Sequence, residues 1–179
     1  MRPCPSSMSL VLIGLGANLP TDDGSTPAET LQRAAAAIAA LPGLSAPHLS
    51  RLWSSPAWPP SDQPDYVNAV LRLAGTADPG VLLAALHRIE ARFGRVRGER
   101  NAARTLDLDI IAIGGLVRSA PPPVLPHPRM SGRAFVLAPL AEVAPEWVHP
   151  VTGQSVASLL AALPAGEAAS CRPLAPPLA

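Results

Sequence analysis

Arg104-Thr-Leu-Asp107-Leu-Asp109-Ile-Ile-Ala-Ile113 reads as a strand with two charges on one face and aliphatic side chains on the other. Side chains alternate along a strand, so Asp107 and Asp109 lie side by side, their Cα atoms roughly 6.6 Å apart at about 3.3 Å rise per residue. Leu106, Leu108 and Ile110 take the opposite face. So apolar a run is expected at the centre of a sheet, where two carboxylates are costly unless a cation accompanies them. Arginine or a divalent metal would serve. Arginine, paired carboxylate and metal together make up the chemistry of phosphoryl transfer.

Working outward, the strand closes a pattern. Ser9 to Leu15 reads as a buried first strand running into Gly14-Leu-Gly16-Ala-Asn18. Thr26-Pro-Ala-Glu29 is a capping box opening an Ala-rich helix, which Pro42-Gly43 ends. A second strand is expected from Leu49 to Trp53, then a proline-rich loop from Ser55 to Pro64. Tyr66 to Leu73 reads as a third strand, with Val67, Ala69, Leu71 and Leu73 on the core face and Tyr66, Asn68, Val70 and Arg72 on the other. Asp78-Pro79 caps a second helix to Phe93, whose Leu82, Leu86 and Ile89 recur at helical spacing and whose C′ residue is Gly94. The order is β-α-β-β-α-β. This is an α+β class, a ferredoxin-like antiparallel sheet whose two helices cover one face and leave the other for a site. It is extended by C-terminal elements: a helix near Gly132 to Leu140 and an amphipathic segment from Val156 to Leu163. Residues 1–163 are expected to form one domain, and the Ala/Pro-rich stretch 164–179 a mobile tail.

All fourteen basic residues are arginine and lysine is absent, which argues against Walker A nucleotidases and protein kinases. A net charge of +1 offers no basic field for nucleic acid or membranes. Cys4 and Cys171 make neither a disulfide framework nor a zinc spacing, so a reducing compartment is expected. Gly14, Gly16 and Asn18 interrupt the apolar N-terminal stretch, favouring a first strand over a signal peptide. No stretch approaches the ~20 apolar residues of a membrane span.

Three further groups bear on chemistry. Six arginines fall between Arg88 and Arg104, including Arg95, Arg97 and Arg100, with Phe93 the one aromatic residue among them, a poor platform for base stacking. Loop arginines beside a carboxylate pair suit bidentate phosphate contacts, whereas a solvated basic helix end is the plainer reading. Tyr66 and Asn68 share a strand face, a ring and an amide suited to a flat heterocycle with hydrogen-bonding edges, and Phe135 would supply an opposite ring. Pro126-His127-Pro-Arg129 with Arg133 repeats the phosphate-handling pattern. Gly14-Leu-Gly16 lacks the third glycine of a dinucleotide fingerprint.

With these residues in order, the chain resembles the 6-hydroxymethyl-7,8-dihydropterin pyrophosphokinase family of folate biosynthesis over roughly residues 9 to 160. Arg104-Thr-Leu-Asp-Leu-Asp109-Ile carries the resemblance most strongly. Gly14 to Asn18, Asp62-Gln-Pro-Asp-Tyr-Val-Asn68-Ala, Ile89-Glu90 with Gly94-Arg-Val-Arg97, and Pro126-His127 with Arg133-Ala-Phe135 support it in register. The resemblance implies Mg²⁺-dependent transfer of pyrophosphate from ATP to the pterin hydroxymethyl oxygen, with release of AMP. It implies that Asp107 and Asp109 hold two Mg²⁺ ions, and that Arg95 and Arg104 are mobile-loop arginines on the transferring phosphates. It assigns His87, Glu90, Arg97, Arg104, His127 and Arg133 to ATP, and Ser55, Pro56, Trp58, Tyr66, Asn68 and Phe135 to the pterin. A monomeric cytoplasmic enzyme is implied, with no room in this length for an attached synthase or aldolase domain.

The chain departs from the family pattern in its loops. Asn101-Ala102-Ala103 stand where Trp-Gly-Pro is common, His87 stands where glutamine is frequent, and Ala17 replaces a common serine. Trp58 is the candidate to supply the missing aromatic cover. The alternatives are another metal-dependent phosphoryl or nucleotidyl transferase, or a binding module with weakened catalysis.

Overall fold

Two helices pack where their caps start them. The computed structural model describes residues 8–57, 60–95 and 103–175. β1 (Ser9–Ala17) leads to α1 (Pro27–Ala39), whose capping box forms as expected: Glu29 N–H donates to Thr26 Oγ1, and Thr26 N–H donates to Glu29 at 2.8 Å. β2 (Leu44–Leu49), β3 (Trp53–Ser55) and β4 (Tyr66–Gly75) follow. α2 (Pro79–Arg92) starts where Val81 N–H donates to Asp78 Oδ1 at 2.9 Å, and it ends at Gly94, whose φ of +77° suits glycine. β5 (Asp107–Ile113) is followed by α3 (Ala134–Val143), α4 (Val156–Ala161), α5 (Ala165–Ser170) and β6 (Arg172–Pro173).

The sheet order is β5-β1-β4-β3-β6, with β2 also pairing β4, and every pair is antiparallel. This is the expected ferredoxin-like arrangement with extra strands. Leu31, Ile38, Leu82 and Leu86 of α1 and α2 pack on Val11, Ile13, Leu71, Leu73 and Leu108 from one face of the sheet. No helix among the described residues is long and apolar enough to cross a membrane.

Four expectations need correction. The strand placed at Leu49 to Trp53 is split. Ser50 carries out the pairing with its own side chain: Val70 N–H donates to Ser50 Oγ at 3.0 Å, while Ser50 N–H donates to Val70 O at 2.9 Å. The hydroxyl stands in for a backbone carbonyl and the ladder breaks there.

β5 is an edge strand, not a central one. Its outer groups are capped instead of paired to a strand. Leu108 N–H donates to Glu90 Oε1 at 2.8 Å, and His127 N–H donates to Ile111 O at 2.8 Å.

The second sheet face is not left wholly open. Leu137, Leu140 and Val143 of α3 and Val156 and Leu159 of α4 pack on Leu12, Val70 and Ile111. The site is confined to the end of the face that these helices leave uncovered.

Lastly, the chain beyond Pro164 forms α5 and then β6, which pairs with β3.

Candidate active site

Register decides what meets what. Gly16 lies opposite Asn68 on one side and Asp107 on the other, and Gly14 lies opposite Val70 and Asp109. Cross-strand partners point to the same face. The two glycines of β1 therefore form a floor between the Tyr66–Asn68 pair of β4 and the carboxylates of β5. A Cβ on Gly16 would come 3.3 Å from Asn68 Oδ1, and one on Gly14 would come 3.4 Å from Ile111 Cδ1. The Gly14-Leu-Gly16 motif is explained by this space and not by nucleotide-fold turns. The cavity over the floor is lined by Ser55, Pro56, Tyr66, Asn68 and Phe135 together with Arg104, Asp107, Asp109, His127 and Arg133. Ten of the sequence-derived site residues thus converge on one recess.

The carboxylates are treated unequally. Asp107 accepts from Arg95 Nη1 at 2.7 Å and from Arg104 Nη1 at 2.5 Å. Arg95 reaches back to Glu90 as well, so it lies between two carboxylates. Asp109 has no arginine partner among the described residues, and His127 Nε2 lies 3.9 Å from it. Burial, and then the charge of Asp107, push the Asp109 carboxyl above the ordinary aspartate range. Its side chain is still 52% exposed, so it remains open to a ligand. Two hard oxygen donors with one left uncompensated fit Mg²⁺, which takes one or two carboxylates and completes its shell with water and phosphate oxygens. Among the described residues no group of three or more His, Cys, Asp or Glu side chains could hold an ion, so these two carboxylates stand without a third protein ligand.

The remaining walls have their own supports. Asn68 is buried and donates from Nδ2 to Ser55 Oγ at 2.9 Å. The ring of Phe135 carries the Arg133 guanidinium 5.4 Å from its centroid. Arg129 N–H donates to His127 Nδ1 at 3.2 Å, which assigns the proton of a neutral imidazole to Nε2, on the Asp109 side. Burial lowers the His127 pKa, only partly offset by Asp109, which favours that neutral form. Burial likewise raises the Tyr66 phenol, keeping it protonated.

Not every expected residue reaches the cavity. Glu90 is 2% exposed and buried against β5, where it accepts from Leu108 N–H and pairs with Arg95. It does not line the recess, and its ion pair with Arg95 links it to the site. His87 is half-buried on α2 and Arg95 lies beside Asp107; neither lines the recess. Trp58, Arg97, Arg100, Asn101 and Ala102 fall outside the described residues.

One residue was overlooked. Asn18, buried at the end of β1, accepts at Oδ1 from Arg104 N–H at 2.7 Å. It donates from Nδ2 to Pro64 O at 3.1 Å and to Gln63 Oε1 at 3.3 Å. A short polar side chain closing an apolar strand was the available signal.

The family model described as 7,8-dihydro-6-hydroxymethylpterin-pyrophosphokinase (HPPK) matches residues 12–145. A 2-amino-4-hydroxy-6-hydroxymethyldihydropteridine pyrophosphokinase of Synechocystis is 38% identical over 156 residues, covering 87% of this chain and 77% of the relative. The protein of the same name from Pseudomonas aeruginosa is 42% identical over 154 residues, covering 86% of this chain and 91% of the relative. A solved HPPK-DHPS structure in complex with substrates superposes with a TM-score of 0.60 at 10% identity, across 85% of this chain and 44% of that longer one. At that identity the likeness bears on fold alone.

Proposed function

Because the chain belongs to the 7,8-dihydro-6-hydroxymethylpterin-pyrophosphokinase family, we propose that it transfers the pyrophosphoryl group of ATP to the hydroxymethyl oxygen of 6-hydroxymethyl-7,8-dihydropterin. In that reaction the pterin oxygen bonds to the β-phosphorus. The bond from that phosphorus to the α,β-bridging oxygen breaks, AMP leaves, and the hydroxyl proton is lost.

The observation that carries this reading is the shared recess, with heterocycle-reading groups beside the carboxylates and arginines. Asn68, held by Ser55, reads the ring edge beside Pro56 on one wall, while Tyr66 and Phe135 bracket the ring. Arg104 and Arg133 face the phosphates, with His127 on the nucleotide side. Asp107 and Asp109 are the residues that would hold Mg²⁺, two ions in this reading. When bound, Mg²⁺ neutralises phosphate charge and helps activate the attacking hydroxyl. Pairing to Asp107 keeps Arg95 and Arg104 within reach of the phosphates before substrate arrives. His87, Arg95 and Arg97 are assigned to the nucleotide side, and Trp58 to pterin cover, by the family pattern. The protein is taken to act as a cytoplasmic monomer.

The test is product analysis with ATP, Mg²⁺ and the hydroxymethyl-dihydropterin. AMP and the pterin diphosphate are the expected products. ADP, inorganic diphosphate or no turnover would overturn the proposal.

A further inference from the structure

The pterin side of the recess rests on a strand that is held from outside. β3 is three residues long and ends at Ser55, one residue before Pro56 on the cavity wall. Its inner edge pairs with the pterin strand, Trp53 with Asn68 and Ser55 with Tyr66. Its outer edge pairs with β6, Trp53 with Pro173 and Ser54 with Arg172, and Leu174 N–H donates to Leu52 O at 2.8 Å. The buried Cys171 seats the start of this strap. The family model ends at residue 145, so the strap comes from outside the matched span.

A three-residue strand leading into a proline-rich loop has little cohesion of its own, and such segments open locally at small free-energy cost. A second cavity, lined by Ser54, Pro56, Asp65, Ser170 and Arg172, separates the strap from the loop and shares Pro56 with the main recess. The backbone ladder of β6 therefore supports β3 from that side. We propose that residues 171–174 are a positioning element for pterin binding: by clamping β3 they keep Ser55 on Asn68 and Pro56 at the recess wall. The proposal rests on the pterin-binding reading above and assigns specificity to the C-terminal strap, which touches no substrate.

Leu174→Pro removes the N–H that bonds Leu52 O and leaves every recess side chain in place. It is expected to raise the KM for the pterin about tenfold, the factor that corresponds to ~1.4 kcal/mol of lost positioning. The KM for ATP should stay within about twofold, since the carboxylates lie on β5 and the arginines lie beside it or at the start of α3, away from β3. Hydrogen exchange at the amides of Trp53–Ser55 should quicken while that of β1 is unchanged. Cys171→Gly, which unseats the strap more gently, should show the same asymmetry if Leu174→Pro folds poorly. An unchanged pterin KM, or ATP and pterin KM rising together, would overturn the proposal. The two readings fail separately. A wild type that releases no AMP defeats the function, whereas unchanged exchange at Trp53–Ser55 defeats the clamp whatever the turnover.

Discussion

Asn18 grips the Arg104 peptide from both sides: its Oδ1 accepts from Arg104 N–H at 2.7 Å, and its own N–H donates to Arg104 O at 3.0 Å. The same amide holds Pro64 O at 3.1 Å, so one side chain ties the start of the carboxylate strand to the loop before Tyr66. Asn18→Ala leaves the Arg104 N–H unmet and releases the loop at Pro64, while the backbone bonds from residues 18 and 19 to Arg104 O remain. A stability loss of about 1–3 kcal/mol is expected in urea denaturation. Turnover should fall as well, because Arg104 is held less firmly beside Asp107; unchanged AMP release would show that this grip is structural only.

Asp109→Asn separates function from stability. Turnover should drop on the order of a thousandfold, since a carboxylate reserved for charge stabilisation is gone. Without divalent cation the variant should nevertheless melt above the wild type at pH 7. The Asp109 pKa is higher in the folded chain than the ~3.9 of an unfolded aspartate, so the native state is favoured below that value and penalised as pH rises through the raised one. The gain in melting temperature should thus shrink toward pH 4. A variant less stable than wild type at pH 7 would contradict the uncompensated charge.

Glu90→Gln tests the support behind Arg95. The amide oxygen can still accept from Leu108 N–H, but the ion pair with Arg95 is lost. Arg95 keeps Asp107, so the expected stability cost is about 1–3 kcal/mol, less than an orphaned buried charge would bring. The rate should fall with little change in the KM for the pterin, as measured by steady-state AMP release.

Gly16→Ala places a methyl group on the cavity floor, 3.3 Å from Asn68 Oδ1. The pterin edge must then shift or Asn68 must move, and a rise of roughly tenfold in pterin KM is expected from one displaced polar contact. Melting temperature should change little, since alanine suits this strand position as well as glycine does. An unaltered pterin KM would mean that the ring sits elsewhere.

The parts legible in the sequence were local or periodic. The cap at Thr26, the helix register of Leu82 and Leu86 and the alternation of Tyr66 to Leu73 depend on neighbours in the chain, and all appear. So do the converging pairs, because Tyr66–Asn68 and Asp107–Asp109 each share a strand face. The misses were contacts between distant segments. Ser50 splits a strand through Val70, twenty residues away, and Glu90 caps the edge of β5 at Leu108. An apolar run cannot tell a centre strand from a capped edge, so β5 was misplaced. Asn18 bridges segments 46 and 86 residues further on, and no spacing rule reaches that far.

The capping of β5 has a bearing on how variants of this protein will behave in a cell. An outer strand with unmet backbone groups is a template for joining another chain edge to edge. Here Glu90, which pairs with Arg95, and the backbone of His127 cover two of those groups. Substitutions at Glu90, or insertions around His127, would uncover adhesive backbone as well as disturb catalysis. Loss of activity at these positions should therefore be read beside soluble yield, because a variant with intact chemistry can still be lost to the insoluble fraction.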